Sequence, residues 1–376
     1  MPKKQKGPRL KIAVVATNSW YLWNFRKETL VALREAGHEV LCLCGNRDYF
    51  ERLSRLGVEV RYVEFGPRRV RIGTLWQTQR ALRSQLDNFG PDIVLGFTLL
   101  ANVHVGLWGP KARRWIAMIA GQGALAQYGA LRQRLTLGLL RPLMQKASAV
   151  VFQNEVDLAE WTDAGLVPPN RAHLVAGSGV DLAAWRPVHP AEGPINVLCH
   201  ARLLRAKGIR HFLSLAKLAS EKGLAAHFHL AGFAISETQG GFPITEIKAA
   251  EARGEITFHG ALDDVRPLFQ GRTVGCLLSE YGEGKPRSLI EALAAGCPVL
   301  MSKIRGCDDL IRHANGVSVD LGSSGWMAEA LDFIAALTAD EDLYRAMGER
   351  SRALAQSKFD VRDNVTKLLE LVEGTR

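Results

Sequence analysis

The sequence predicts an α/β protein of two Rossmann-like, doubly wound parallel-sheet domains in tandem, with ligand in an interdomain cleft. Three observations carry this expectation. Short apolar runs rich in Val and Ile alternate with segments of helical period along the chain. A proline-crowded break at Val180–Pro194 interrupts the alternation, which then begins afresh. A length of 376 residues leaves room for two domains, each with an ordinary core.

The elements follow in order. Leu10–Ala16 reads as a strand, Arg26–Ala36 as a helix ending at Gly37, and Glu39–Cys44 as a second strand. Phe50–Leu56 is helical up to Gly57, and Val58–Val63 is a third strand. Asp92–Gly96, after Pro91, and Trp115–Ile119 are further strands, followed by a helix at Leu131–Lys146 and a strand at Ala149–Phe152. Such alternation demands right-handed crossovers, hence a parallel sheet. Arg186-Pro187, His189-Pro190 and Gly193-Pro194 then form the linker. Beyond it come a strand at Ile195–His200, a helix at Ile209–Glu221, and strands at Ala226–Ala231, Glu255–His259 and Thr273–Leu278. A helix at Pro286–Ala295 ends at Gly296, and Pro298–Met301 is another strand. Helices near 326–337, 340–356 and 361–373 close the chain. The domains are therefore expected at 1–185 and 186–356, with 357–376 packing back toward the first.

With 47% hydrophobic and 23% charged residues, the composition is that of a globular protein, neither disordered nor fibrous. No apolar run approaches the roughly 18–20 residues of a spanning helix. Met1-Pro-Lys-Lys-Gln-Lys imitates the start of a signal peptide, yet the apolar stretch behind it, Ile12 to Ala16, is too short to complete one. A cytoplasmic protein is expected. The six cysteines (42, 44, 199, 276, 297 and 307) lack metal-site or disulfide spacing and read as buried small hydrophobes.

The net charge of +10 is unevenly placed. Residues 1–185 hold 25 Lys/Arg against 14 Asp/Glu, whereas residues 186–376 hold 23 against 24. Ile93 to Asn154 contains no acidic residue but does contain Lys111, Arg113, Arg114, Arg132, Arg134, Arg141 and Lys146. A field of this kind attracts anionic lipid, phosphorylated ligands or nucleic acid.

Two motifs carry chemistry. In Glu283-Gly-Lys-Pro-Arg-Ser-Leu-Ile-Glu291 the first glutamate lies in a loop beyond a strand, and Pro286 is placed to open the next helix. The Glu291 side chain then tilts back toward the helix N-terminus, where free amides and the dipole favour a phosphate. Glutamates eight apart recur by chance; the strand–loop–helix setting gives this pair its meaning. It suits a ligand with hydroxyls and phosphates, such as a nucleotide sugar. The second motif, His200-Ala-Arg202-Leu-Leu-Arg-Ala-Lys207-Gly208, places cations at a strand-to-helix turn, the end at which the helix dipole disfavours them. They suit a diphosphate and the charge it gains on departure.

On these residues the chain resembles the family 4 retaining glycosyltransferases of the GT-B fold, along nearly all of its length. Asn24-Phe25-Arg26, Gly96-Phe-Thr-Leu-Leu-Ala-Asn102, Gly121-Gln-Gly123, Phe152-Gln-Asn-Glu155, Gly177-Ser-Gly-Val-Asp181 and Gly306-Cys307 add to the likeness. The first-half pieces resemble the branch that builds bacterial surface glycans on an undecaprenyl-diphosphate carrier. The resemblance implies a catalytic set of Glu283, Arg202 and Lys207, with Glu283 on donor-sugar hydroxyls and the two cations on the diphosphate. It implies donor contacts at Glu291, on the ribose, and at Gly284, Pro286, Arg287, Ser288 and His200. On the acceptor side it points to Asn24, Arg26, Asn102, Gly121, Gly123 and Arg132. It also implies a UDP-sugar donor such as UDP-GalNAc, UDP-GlcNAc or UDP-Gal, and neither cofactor nor obligatory metal. The sequence departs from the family at Leu100-Ala101, where a basic residue and proline are usual, and at Asp309, where a glutamate is usual.

Leu131–Lys146 interleaves cations with leucines and is expected either to meet an anionic membrane surface or to present a solvated basic face over a core-facing stripe. The expected partners are a nucleotide sugar, a lipid-linked saccharide and the inner face of the cell membrane. A transferase with a soluble acceptor and a GT-B phosphorylase are the nearest alternatives. Gly121-Gln-Gly123-Ala-Leu-Ala126 also matches a dinucleotide fingerprint, but the acidic residue due about 20 residues on is missing. No helix-turn-helix, RRM or zinc-finger signature supports nucleic-acid binding.

Overall fold

A computed structural model describes residues 8–65, 72–109, 114–121, 130–187 and 193–374. The chain divides into two compact units, residues 1–178 with 361–376, and residues 179–360.

In the first unit β1 (Lys11–Ala16), β2 (Glu39–Cys44), β3 (Glu59–Tyr62), β4 (Ile93–Phe97), β5 (Arg114–Ile119), β6 (Ala149–Phe152) and β7 (Ala172–Leu174) form one parallel sheet of order β3-β2-β1-β4-β5-β6-β7. The central strands are buried along almost their whole length, because helices cover both faces of a doubly wound sheet. Val15, Val94 and Trp115 pack toward one face, and Ile12, Leu95 and Ile116 toward the other. The helices are α1 (Ser19–Glu35), α2 (Phe50–Ser54), α3 (Ile72–Phe89), α4 (Leu99–Trp108), α5 (Ala130–Met144) and α6 (Glu155–Asp163). Helix α1 starts well before the expected Arg26, because the Asn18 side chain accepts from the Tyr21 amide at 2.7 Å and caps it.

The second unit repeats the plan. Its strands β8 (Ile195–His200), β9 (Ala226–Ala231), β10 (Thr257–Phe258), β11 (Thr273–Leu277), β12 (Val299–Ser302) and β13 (Gly316–Val319) are parallel in the order β10-β9-β8-β11-β12-β13. Helices α7 (Ile209–Glu221), α8 (Ile244–Ala252), α9 (Arg287–Ala294), α10 (Trp326–Ala339) and α11 (Glu341–Lys358) enclose a core that includes Val197, Phe212, Val274 and Ile334. The last helix, α12 (Val361–Glu373), belongs to the first unit, where Arg114 donates to its Leu371 and Val372 carbonyls and caps its C-terminus.

The boundary differs from the expected 185/186. Residues 179–185 fold with the second unit: the Val180 amide donates to the Phe359 carbonyl at 2.8 Å. Arg352 donates to the carbonyls of Trp185, Leu182 and Ala294 at 2.6, 3.0 and 2.5 Å. All six cysteines are buried and unpaired. Among the described residues no helix is long and apolar enough to cross a membrane.

Candidate functional site

Strands β8 and β11 are neighbours, with Val197 opposite Val274. From β8 the chain crosses to β9 on one side, and from β11 to β12 on the other. Their carboxyl-terminal loops therefore diverge, leaving the crevice in which doubly wound sheets receive ligands. Both chemistry-bearing motifs lie here. His200 ends β8, Arg202 and Lys207 follow it, Glu283 lies in the loop after β11, and Glu291 is on α9.

The two loops are stitched together. Gly208, at φ +70°, packs so tightly that a Cβ there would lie 1.6 Å from the Leu278 carbonyl oxygen, so only glycine fits. The Ala206 carbonyl accepts from the Ser279 hydroxyl at 3.1 Å and from the Glu280 amide at 3.0 Å. Lys207 Nζ pairs with Glu283 Oε1, which also accepts from Ser279 Oγ at 3.1 Å. The Lys207 and Glu283 side chains are each only 12% exposed, so solvent does little to screen the pair.

Pro286 occupies the cap position of α9 at φ −64°, ψ 115°, and the helix proper begins at Arg287, one residue later than expected. Proline offers no capping side chain to the amides of the first turn. Four residues into the helix from Arg287, Glu291 receives Arg287 Nε on Oε1 and His200 Nε2 on Oε2, both at 2.8 Å. Burial pushes the Glu291 carboxyl up, but the His200 hydrogen bond and the Arg287 charge outweigh it and hold the group below the usual carboxylate range. Arg202 is half-buried, and its guanidinium has no hydrogen-bond partner among the described residues. Gly284 and Pro286 are buried and Ser288 is half-buried beside them.

Two contributors escaped the sequence reading. Lys285, 5% exposed, donates to the Gly306 carbonyl and pairs with Asp309, tying the Glu283 loop to the loop after β12. Ser279 bridges Ala206 and Glu283. A loop lysine and a serine ordinarily signal solvent exposure; the only hint was that Lys285 falls inside the Glu283–Glu291 motif. The arrangement gathers two carboxylates, two cations and a helix start at one end of the sheet, chemistry that suits hydroxyls beside a phosphate. Among the described residues no cluster of three or more His, Cys, Asp or Glu is placed to hold a metal ion.

In the first unit the expected acceptor residues fare differently. Arg26 is 3% exposed, donates to the Tyr21 hydroxyl at 3.1 and 3.3 Å, and stacks over the Phe97 ring at 4.9 Å. Asn102 is fully buried; its Oδ1 accepts from Trp115 Nε1 at 3.2 Å, and its Nδ2 donates to the Thr98 and Met118 carbonyls at 3.0 Å. Arg26 is thus engaged within α1 and over the Phe97 ring of β4, and Asn102 between the start of α4 and β5. Asn24 is half-buried and donates to the Trp20 carbonyl at 3.0 Å. Gly121 follows β5 at φ +127°. Gly123 and the side chain of Arg132 lie outside the described residues.

Residues 24–177 match the family model described as a glycosyl transferase 4-like domain, and residues 183–354 the model described as glycosyl transferases group 1. The chain is similar to N,N'-diacetylbacillosaminyl-diphospho-undecaprenol alpha-1,3-N-acetylgalactosaminyltransferase of Campylobacter jejuni, with 24% identity over 317 residues, 78% of this chain and 80% of that one. Among solved structures it is similar to HepE of Anabaena, in complex with UDP and glucose, at a TM-score of 0.79 and 17% identity, over 98% of this chain and 100% of that one. A sucrose-phosphate synthase of Thermosynechococcus elongatus gives a TM-score of 0.79 at 19% identity, over 97% and 98% of the two chains.

Proposed function

Since the chain is a glycosyltransferase of the two-domain GT-B fold, moving a hexosyl or N-acetylhexosaminyl group, we propose that its second unit binds a UDP-sugar, such as UDP-GalNAc, UDP-GlcNAc or UDP-Gal. On this proposal the sugar passes, with retention, to a lipid-diphosphate-linked saccharide. One observation carries the donor assignment. Lys207–Glu283 and His200–Glu291–Arg287 converge around the start of α9, at the switch point of the sheet.

In this arrangement Arg202, Lys207 and the first amides of α9 take the diphosphate. Glu283 takes sugar hydroxyls, and Glu291 takes the ribose. As the bond from the anomeric carbon to the phosphate oxygen breaks, the leaving diphosphate gains charge, which the two cations stabilise. The acceptor hydroxyl forms its bond to the anomeric carbon on the same face, and its proton passes to a departing phosphate oxygen. Proton and charge then balance with the cations as the protein's main contribution.

The Campylobacter relative is named for transfer to an undecaprenyl-diphosphate-linked saccharide, which supports a lipid-linked acceptor here. The basic excess of the first half supports an anionic membrane surface as partner, with the enzyme peripheral on the inner face of the cell membrane. So do exposed apolar side chains in the same unit, Trp76 at 74% and Leu139 at 76%. Incubation with UDP-sugars and an undecaprenyl-diphosphate-linked disaccharide tests the proposal, by product mass and the coupling constant of the new anomeric proton. An α-configured product from an α-donor supports it, and a β-configured product contradicts retention.

A further inference from the structure

His200 sits where the sequence motif places it, beside the phosphate loop, yet its ring is turned toward α9. Its Nε2 lies 2.8 Å from Glu291 Oε2, and the side chains of the pair are 10% and 12% exposed. An ionised carboxylate only accepts hydrogen bonds, so Nε2 carries the proton. The other nitrogen, Nδ1, is buried without a hydrogen-bond partner among the described residues. Leaving a buried polar nitrogen unpaired is a cost that an apolar side chain of similar size would avoid. The ring is therefore not accounted for by packing alone; its stabilising polar contact is the one it makes to Glu291. Phe269 meets the ring edge-on at 5.6 Å and is itself braced edge-on by Trp185 at 5.3 Å, which fixes the imidazole plane.

A glutamate carboxyl turns easily about its last torsion, which has only broad preferences. Arg287, on the same helix, holds Oε1 at 2.8 Å, and a single anchor leaves the plane free to swing. His200, from the neighbouring strand, supplies the second anchor.

We propose that His200 is a positioning residue for donor recognition: it fixes Oε2 of Glu291 while Arg287 fixes Oε1, so that the remaining lone pairs of the carboxylate face the two ribose hydroxyls in one orientation. This rests on the assignment of Glu291 to the ribose. The cations of the phosphate loop set where the diphosphate lies, and the His200–Glu291–Arg287 triad sets the angle at which the nucleoside leaves it.

The test is calorimetric titration with UDP and with GDP, using for comparison whichever the wild type binds more tightly. His200→Leu removes the donor but keeps the bulk, and its Kd is expected to rise about tenfold, the effect of one charge-assisted hydrogen bond. His200→Gln, which can present an N–H at the same reach, is expected to stay within about threefold of wild type. In the double variant His200→Leu/Glu291→Gln the His200 change is expected to add little to the loss from Glu291→Gln, because it acts through that carboxylate. An unchanged Kd in His200→Leu, an equal loss in His200→Gln, or full additivity in the double variant overturns the proposal. If Glu291→Gln alone binds nucleotide as tightly as wild type, the ribose assignment itself has failed, which is a separate result.

Discussion

Lys207 and Glu283, carried by loops that leave the adjacent strands β8 and β11, form an ion pair that is nearly closed to solvent at the switch point of the second sheet. A nucleotide sugar that binds as proposed has to part them, placing a phosphate on Lys207 and a sugar hydroxyl on Glu283. Each partner thus has an internal substitute for the ligand group it is to meet. That keeps both side chains oriented, and a buried charge unpaired by mutation is costly.

The first prediction concerns Glu283→Gln. The amide is isosteric, and its oxygen can still accept from Ser279, so the variant is expected to fold. Without the carboxylate, turnover is expected to fall about 10²-fold, the scale of losing one preorganised polar contact to the reacting group. Melting temperature and kcat measured on one preparation check this; unchanged turnover removes Glu283 from the site.

Glu291 makes a prediction about pH. Its folded-state carboxyl lies below the ordinary 4.5, so its interactions stabilise the fold above that value and are lost as pH falls through the depressed one. Urea unfolding at stepped pH below 4.5 is therefore expected to show a steeper loss of stability for wild type than for Glu291→Gln, which has no proton to take up. Parallel curves would mean that the carboxylate titrates alike in both states.

Gly208 and Gly240 form a matched pair. Both have positive φ, +70° and +87°, but a Cβ at Gly208 meets the Leu278 carbonyl whereas one at Gly240 meets nothing within 4 Å. Gly240→Ala is expected to cost about 1 kcal/mol of backbone strain. Gly208→Ala adds the clash and is expected to cost about 3 kcal/mol or more, with loss of nucleotide binding. Denaturant midpoints of the two variants check the difference.

Membrane attachment is tested by flotation. The purified protein is expected to float with vesicles containing anionic phosphatidylglycerol and to be released as salt rises, because screening shortens the reach of its basic half. Equal flotation with neutral vesicles points to the exposed Trp76 and Leu139 alone; no flotation at low salt removes the membrane from the proposal.

Much of the fold around β8 and β11 was legible in the sequence for a physical reason. Strands in the middle of the sheet, such as β8 and β11, read as short, mainly apolar runs, and the glycines after α7 and α9 punctuate them. The motifs then fall at strand ends by position alone. Helix α4 was not legible, because Leu-Leu-Ala-Asn-Val-His-Val-Gly-Leu-Trp is apolar nearly all round and shows no helical period. The surroundings of Arg26 and Asn102 were not legible for the opposite reason: a polar side chain reads as available, and only the fold shows its contacts, Tyr21 for Arg26 and Trp115 for Asn102. The boundary at 178/179 depends on Arg352, whose contacts to Leu182 and Trp185 span about half the chain.

The most direct measurement of the central claim is a thermal-shift panel of UDP-sugars, GDP-sugars and free UDP against wild type and Lys207→Ala. A ligand that binds only the native state raises its melting temperature. At least one UDP-sugar is expected to raise the melting temperature of wild type and to lose most of that effect in Lys207→Ala. If no nucleotide sugar stabilises the wild type, or if Lys207→Ala responds as wild type does, the donor site is not the one built by Lys207, Glu283 and Glu291.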